Sequence, residues 1–343
     1  MSSWKEMGAT AEAIASCQLT SGAIPHFPGG HTDPWNLVEC AMALDLCGRS
    51  HEAALALSWL RERQLPDGSW FALYMHDRPE DRWRDANFCA YAAAGVWVHY
   101  LTTSDERFLR EMWGVVEKAI DFVLRLQRAD GTISWARDVR GVAWPGALLT
   151  SSACILTSLR SAIAIAERLG EERPDWELSA SSLHTVLAAS PGAFESKPQF
   201  AMDWYYPALS GSLDPVAARA ALLGGWERFV VEGRGSRCVT LRPWVTSAET
   251  AELALACCVC GLIDEASLLL EWVDHLRWDD GSYWMGATHP DGVKWPRDRT
   301  TWSGAAVVLA TKLLNGHEAA EGLFGGSALP RIVELSAPVG DAL

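Results

Sequence analysis

A glycine-centred loop recurs along this 343-residue chain at spacings of about two helices, and amphipathic segments alternate with segments that are apolar on every side. No run alternates apolar and polar residues as a sheet strand does. Together these observations predict an all-α fold. The architecture they imply is an (α/α)6 double-walled barrel of six helical hairpins, one domain over residues 1–335, followed by a flexible tail at 336–343.

The loop is clearest in LRERQLPDGSWF, residues 60–71, centred on Gly68. It returns as LQRADGTISW at Gly131 and LRWDDGSYWMG at Gly281. Weaker copies are CQLTSGAIPHF at Gly22, ASPGAFES at Gly192 and EGRGSRCVTL at Gly235. The intervals are 46, 63, 61, 43 and 46 residues, each long enough for a helix pair with its connections. The Asp-Gly or Ser-Gly pair supplies the positive φ that stops a helix. The aromatic residue after it packs back under the loop.

Taken in chain order, SHEAALALSWLRERQ (50–64) carries Ala54, Leu55, Leu57, Trp59 and Leu60 on one broad face, as an outer helix requires. NFCAYAAAGVWVHYL (87–101) is apolar all round and therefore buried all round. DERFLREMWGVVEKAIDFVLRLQ (105–127) is amphipathic again, and SSACILTSLRSAIAIA (151–166) is apolar again. IDEASLLLEWVDHLRW (263–278) and SGAAVVLATKLL (303–314) repeat the alternation near the end. Two concentric layers follow, an outer one of amphipathic helices and an inner one of wholly apolar helices.

Composition narrows the function. Hydrophobic residues make up 49% of the chain, and the net charge is −14 with no basic run, which argues against a nucleic-acid partner. The nine cysteines are scattered. Cys257, Cys258 and Cys260 sit in the helical apolar run AELALACCVCG, where they read as core, and no paired metal-ligand spacing occurs. MSSWKEMGAT lacks the apolar stretch of a signal peptide, and no run of 18 apolar residues spans a membrane. The expectation is a soluble, reduced, cytoplasmic protein with no metal and no cofactor; its oligomeric state is open.

The connections locate the site. Inner-to-outer links are short (47–51, 102–106, 261–264), whereas outer-to-inner links are long (65–84, 128–148, 190–202, 232–245, 279–299). Long loops in a compact domain carry function. About eleven of the 18 tryptophans fall on these loops or the helix starts beside them. Inner helices that all begin at this end direct their positive dipole ends into it. Polar residues gather at the starts: HTDPWN, DRWRDAN, WARDVRG, MDWYYP, RPWVTSAET and WPRDRTTW. Such a belt around a blind barrel predicts a small-molecule pocket.

Each candidate has a structural reading beside the functional one. Asp33, before Pro34, fits an N-cap. Glu249 completes the capping box TSAE, yet it also points a carboxylate towards the mouth. Asp85 follows Arg84 and either forms a local ion pair or holds a polar ligand. Asp203 lies among aromatics able to raise its pKa, and Asp138 is flanked by Arg137 and Arg140. Trp35, Trp204, Tyr205, Arg242, Trp244, Trp284 and Trp302 complete the predicted substrate-binding set. His26, His31 and His289 share these loops, but their spacing does not mark a metal site.

These motifs resemble two branches of the six-hairpin toroid superfamily. RDANFCAYA (84–92) resembles the Arg-Asp-Ala-x-Phe segment of glucoamylase-type glycosidases, and WARDVRG (135–141) their general-acid segment Trp-Glu-x-Arg-Gly. That resemblance implies that Arg84 and Asp85 hold sugar hydroxyls and that Asp138 stands in the place of the acid. The family's base precedes the last inner helix, where this chain reads YWMGATHPDG without a glutamate, so the base falls to Glu249 or Asp203. ALSWLRERQLPDGSW (56–70) is similar to the QW repeat of terpenoid cyclases and prenyltransferase β subunits, but no Asp-x-Asp-Asp motif occurs.

The leading expectation is a glycoside hydrolase acting on a sugar or glycoside, with Asp138 or Glu249 as acid and Asp203 or Asp85 activating water or orienting the sugar. The alternative is a terpenoid cyclase or prenyltransferase-like enzyme acting on a prenyl diphosphate, with Glu249 as proton donor. A third reading is a toroid scaffold without catalysis.

Overall fold

A computed structural model describes residues 7–332, and the tail at 336–343 lies outside them. The fold is all-α. Its helices run α1 (Gly8–Ser16), α2 (Pro34–Leu46), α3 (Ser50–Arg63), α4 (Ala86–Thr103), α5 (Glu106–Leu124), α6 (Leu149–Leu169), α7 (Pro174–Ala189), α8 (Ala201–Leu209), α9 (Pro215–Phe229), α10 (Ser247–Val259), α11 (Ile263–Val273), α12 (Thr301–Leu314) and α13 (Glu318–Leu323).

Even-numbered helices pack on one another in a closed cycle: α2 on α4, then α6, α8, α10 and α12, and α12 back on α2. Every residue of α2 except Asn36 is buried, and α4, α10 and α12 are nearly as enclosed. Odd-numbered helices pack against the even ones from α1, which touches α12 and α2, to α11, which touches α10 and α12. Their burial is one-sided. In α5, Leu109, Met112, Val116, Ala119, Ile120 and Val123 repeat at helical spacing. One helix, α6, is long and apolar enough to cross a membrane by length and composition, but 78% of its apolar window is buried inside the fold.

The recurring loop fastens each odd helix to the next. Gln18, Gln64 and Gln127 use the same amide nitrogen twice. Each donates to the glycine carbonyl four residues on (Gly22, Gly68 and Gly131; 3.0, 3.0 and 3.1 Å). Each also donates to a carbonyl of the following odd helix: Glu52 in α3, Val115 in α5 and Ser179 in α7 (2.9, 2.8 and 3.1 Å). The glycines have φ of 85–93° and press their bare Cα against that neighbouring helix. Gly281 does the same against Ala9 of α1. Gly192 and Gly235 do not belong to the set. A Cβ on Gly192 would meet nothing, and one on Gly235 would meet Thr250. Four loops, rather than six, therefore share this device. As expected, the trailing Trp70 is buried and donates back to the Leu60 carbonyl at 2.8 Å.

Short strands occur within the long loops. Eight pair in four two-stranded sheets: β1 (Leu73–Met75) with β2 (Arg78–Asp81), β3 (Arg84–Asp85) with β4 (Ala136–Arg137), β5 (Val230–Val231) with β6 (Gly235–Ser236), and β7 (Trp244–Thr246) with β8 (Gly286–Thr288). At two to four residues they are too short to display alternation. Two of the pairs stitch neighbouring loops together, β3–β4 ahead of α4 and α6 and β7–β8 ahead of α10 and α12. Thr32 bridges Tyr74, Phe200 bridges Val239, Glu195 N donates to the Ala147 carbonyl, and Thr301 N donates to the His26 carbonyl. These six links join the loops leading into all six even helices from α2 to α12, and the last returns to the first.

Candidate active site

The stitched loops surround the first turns of the even helices, and most of the predicted carboxylates meet there. Asp33 caps α2, its Oδ1 accepting from Asn36 N at 2.9 Å. Asp85 caps α4, its Oδ1 accepting from Asn87 N at 2.8 Å and Phe88 N at 3.2 Å. Asp203 lies in the first turn of α8, where Thr150 donates to Oδ1 at 2.6 Å. Glu249 lies in the first turn of α10 and accepts from the Thr246 hydroxyl.

Burial separates these groups electrostatically. It pushes Asp85 up to about 7 against the pull of the two helix amides. It also raises Asp203, with the Thr150 hydroxyl opposing. Asp138 goes the other way, chiefly because Val142 N donates to its carboxylate, helped by Arg140. Its oxygens close a turn of their own, with Arg140 N and Val142 N both at 2.9 Å. A carboxylate held ionised in this way is poorly suited to protonate a leaving group, so the sequence-based assignment of Asp138 as acid is revised. The paired segments still meet, since β3 sets Arg84 opposite Arg137 and Asp85 opposite Ala136. Arg84 donates to the Asp138 carbonyl at 2.6 Å.

The aromatic candidates divide. Trp35 is buried, stacks on Tyr91 at 5.3 Å and meets Trp302 edge-on at 5.8 Å. Tyr205 is fully buried and donates to Glu252. Trp204 turns away from the even helices. It stacks on Phe229 at 4.9 Å and donates to the Ala221 carbonyl at 2.9 Å, because its neighbour Asp203 takes the inward position. Trp244 pairs with Trp295, and Trp284 with Trp278. Arg242 is exposed on a turn. Trp83, Trp135 and Trp144 cluster with centroids 5.6–5.9 Å apart.

Other groups were missed in the sequence. Buried polar atoms without a hydrogen-bond partner lie near the starts of two even helices: Asn87 Oδ1 in α4, and Ser151 and Ser152 Oγ in α6. Below them Glu39 and Glu252 border a cavity of about 30 Å³ with Tyr91, Cys154, Tyr206 and Phe324. Burial raises Glu39 to about 7 and raises Glu252 further, with Glu39 adding to the effect on Glu252. Glu252, three residues after Glu249, was available as a signal because that spacing shares a helix face.

His26, His31 and Asp33 also converge, with ligand atoms all within 4.8 Å of one another. Their separations of five and two residues gave no sequence cue. The Asn36 amide donates to both His26 Nε2 and Asp33 Oδ2, so hydrogen bonding accounts for two of the three. His289 lies apart, its N donating to the Pro243 carbonyl at 2.8 Å.

Solved structures share the fold. A glycosidase in complex with glucose aligns with a TM-score of 0.73 at 14% identity, over 91% of this chain and 97% of that one. A D-mannose isomerase aligns at 0.68 with 10% identity over 90% and 97%. A rhamnosidase from Klebsiella oxytoca with rhamnose bound aligns at 0.63 with 16% identity over 89% and 64%. No protein-family model matches the chain. Carboxylates of divergent pKa, indoles and polar groups at one end of an all-α fold have the chemistry that a carbohydrate ligand requires. Sequence comparison then supplies the family. The chain is 48% identical over 325 residues, 95% of its length and 90% of the relative's, to the MMP endo-(1,4)-3-O-methyl-alpha-D-mannosidase of Mycolicibacterium hassiacum. It belongs to that enzyme's family and is a glycoside hydrolase; the cyclase alternative is not favoured.

Proposed function

We propose that this protein cleaves internal α-1,4 links of an O-methylated mannose polysaccharide, as the name of its relative describes. The cycles of helix packing and loop stitching support reading residues 1–335 as one six-hairpin α/α toroid with its pit at the starts of the even helices. The observation that carries the reading is the buried Asp85 carboxyl, raised to about 7, beside the unpaired Asn87 Oδ1 and the Ser151 and Ser152 hydroxyls at that level. Buried groups of this kind cost about 1–3 kcal/mol each when unpaired, and a sugar's hydroxyls would satisfy them.

In this reading Asp85 is the general acid and Glu249 the general base. In the cycle of six, α4 and α10 stand opposite each other, which supports reading the two carboxyls as flanking a bound sugar. Asp85, raised to about 7, is protonated in about half of the molecules at neutral pH, and that form gives its proton to the leaving oxygen. Glu249 holds a water against the opposite face, an arrangement that inverts the anomeric centre and needs about 6.5–9.5 Å between carboxyls. Arg84, braced on the Asp138 carbonyl, fixes the strand that carries Asp85. Nine free thiols support the cytoplasmic assignment.

The test is hydrolysis of α-1,4-mannooligosaccharides, read by NMR of the fresh anomer. The β anomer is expected first, with kcat/KM falling above about pH 7 as Asp85 ionises. Asp85→Asn and Glu249→Gln are each expected to lower kcat about 10²–10⁴-fold. Full activity in either variant, or an unchanged alkaline limb in Asp85→Asn, would reject the assignment.

A further inference from the structure

Beside the mouth lies a cleft of about 480 Å³ between α8, α9 and the segment 191–198. We infer that this cleft is a glycan-chain subsite, which holds sugar units next to the cleavage point; the inference rests on the hydrolase reading above. The cleft reaches the mouth, because Asp203 lines it from the first turn of α8 and also accepts the Thr150 hydroxyl at the start of α6. It also adjoins the tryptophan cluster. Glu195 lines the cleft, and its Oε1 accepts the Trp144 indole N–H at 3.1 Å. Indole cluster, cleft and mouth thus form one track.

The lining matches a pyranose chain. Trp204, Leu149, Pro191 and Pro198 offer apolar surface to sugar C–H faces and O-methyl groups, while Glu195, Lys197 and Asp203 offer hydrogen bonds. The wall adds an independent observation. In ALLGGWERF of α9, Gly224 and Gly225 are adjacent within a helix, where each costs about 0.5–1 kcal/mol relative to alanine. Gly225 is explained by packing, since a Cβ there would overlap the Trp204 indole. Gly224 is not, since a Cβ there would meet nothing within 4 Å. Its missing side chain keeps the cleft wide.

Gly224→Leu tests this directly, because the new side chain enters open space and replaces a poor helix former. The measurement is kcat/KM over an α-1,4-mannooligosaccharide series from two to eight units, with and without 3-O-methyl groups, alongside binding of the same series to the Glu249→Gln protein. In the wild type kcat/KM is expected to rise at least tenfold with length. Gly224→Leu should reduce the long-to-short ratio about tenfold while holding or raising the thermal midpoint. A ratio unchanged by Gly224→Leu, or a wild type indifferent to length, overturns the subsite and leaves the hydrolase reading intact. Failure to bind or cleave any member overturns both.

Discussion

Glu39 is a carboxyl enclosed on every side, facing Tyr91 from α4, Cys154 from α6, Tyr206 from α8 and Glu252 from α10. Tyr91 donates its hydroxyl to Glu39, yet burial outweighs that bond and raises the group to about 7. A pKa raised on folding means that the native state binds a proton more tightly than the unfolded chain. The stabilisation is fully present below about 4.5 and is lost as pH rises through about 7. At ~1.4 kcal/mol per pH unit, Glu39 makes the fold about 3 kcal/mol less stable at pH 8 than at pH 4. Glu39→Gln keeps an acceptor for Tyr91 and removes the titration. Its urea-unfolding free energy is therefore expected to exceed that of the wild type at pH 8 and to converge with it near pH 4. Parallel pH curves for the two proteins would contradict this account. None of this was readable from VECAMALDL, where a single glutamate in an apolar run gives no measure of its enclosure.

At the scale of the helix and its loop, the repeat was legible because a glycine with positive φ and a glutamine four residues earlier leave fixed letters in the sequence. Gly68 has φ of 89°, and a Cβ there would overlap the Lys118 carbonyl. Gly68→Ala is expected to cost about 2–4 kcal/mol, beyond the ordinary penalty for alanine in the left-handed region. Gln64→Ala strands the Gly68 and Val115 carbonyls and is expected to cost about 1–3 kcal/mol. Gly192→Ala, at a loop resembling the repeat only in sequence, should stay within about 0.5 kcal/mol. Thermal unfolding of the three variants checks the ranking, and an equal loss in all three would show that the loops are interchangeable. The same logic explains what the sequence concealed. The β3–β4 pair that joins RDANF to WARDVRG is two residues per strand, and no spacing rule singled out the Val142 amide that closes the Asp138 turn.

On the scale of the whole molecule, the cycle of even helices encloses an axis whose two ends differ. One end carries the long stitched loops, the carboxylates and the orphaned donors. Towards the other, α13 packs against α4 and α12, and Phe324 at its end borders the axial cavity beneath Glu39 and Glu252. The aromatic ring covers the two acids on the side of α13. Phe324→Ala should therefore act in two ways at once. Loss of packing lowers stability by about 2–4 kcal/mol, as for other large-to-small changes at core positions. Entry of water from the α13 end lowers the penalty on the charged carboxyls, so the fall in stability between about pH 4.5 and 7 should shrink by more than half. Cleavage of short substrates should persist below the unfolding midpoint, because the mouth is built from the opposite helix ends. A variant that loses stability equally at every pH would show that Phe324 contributes packing alone, and that the acids are kept dry by the six helices themselves.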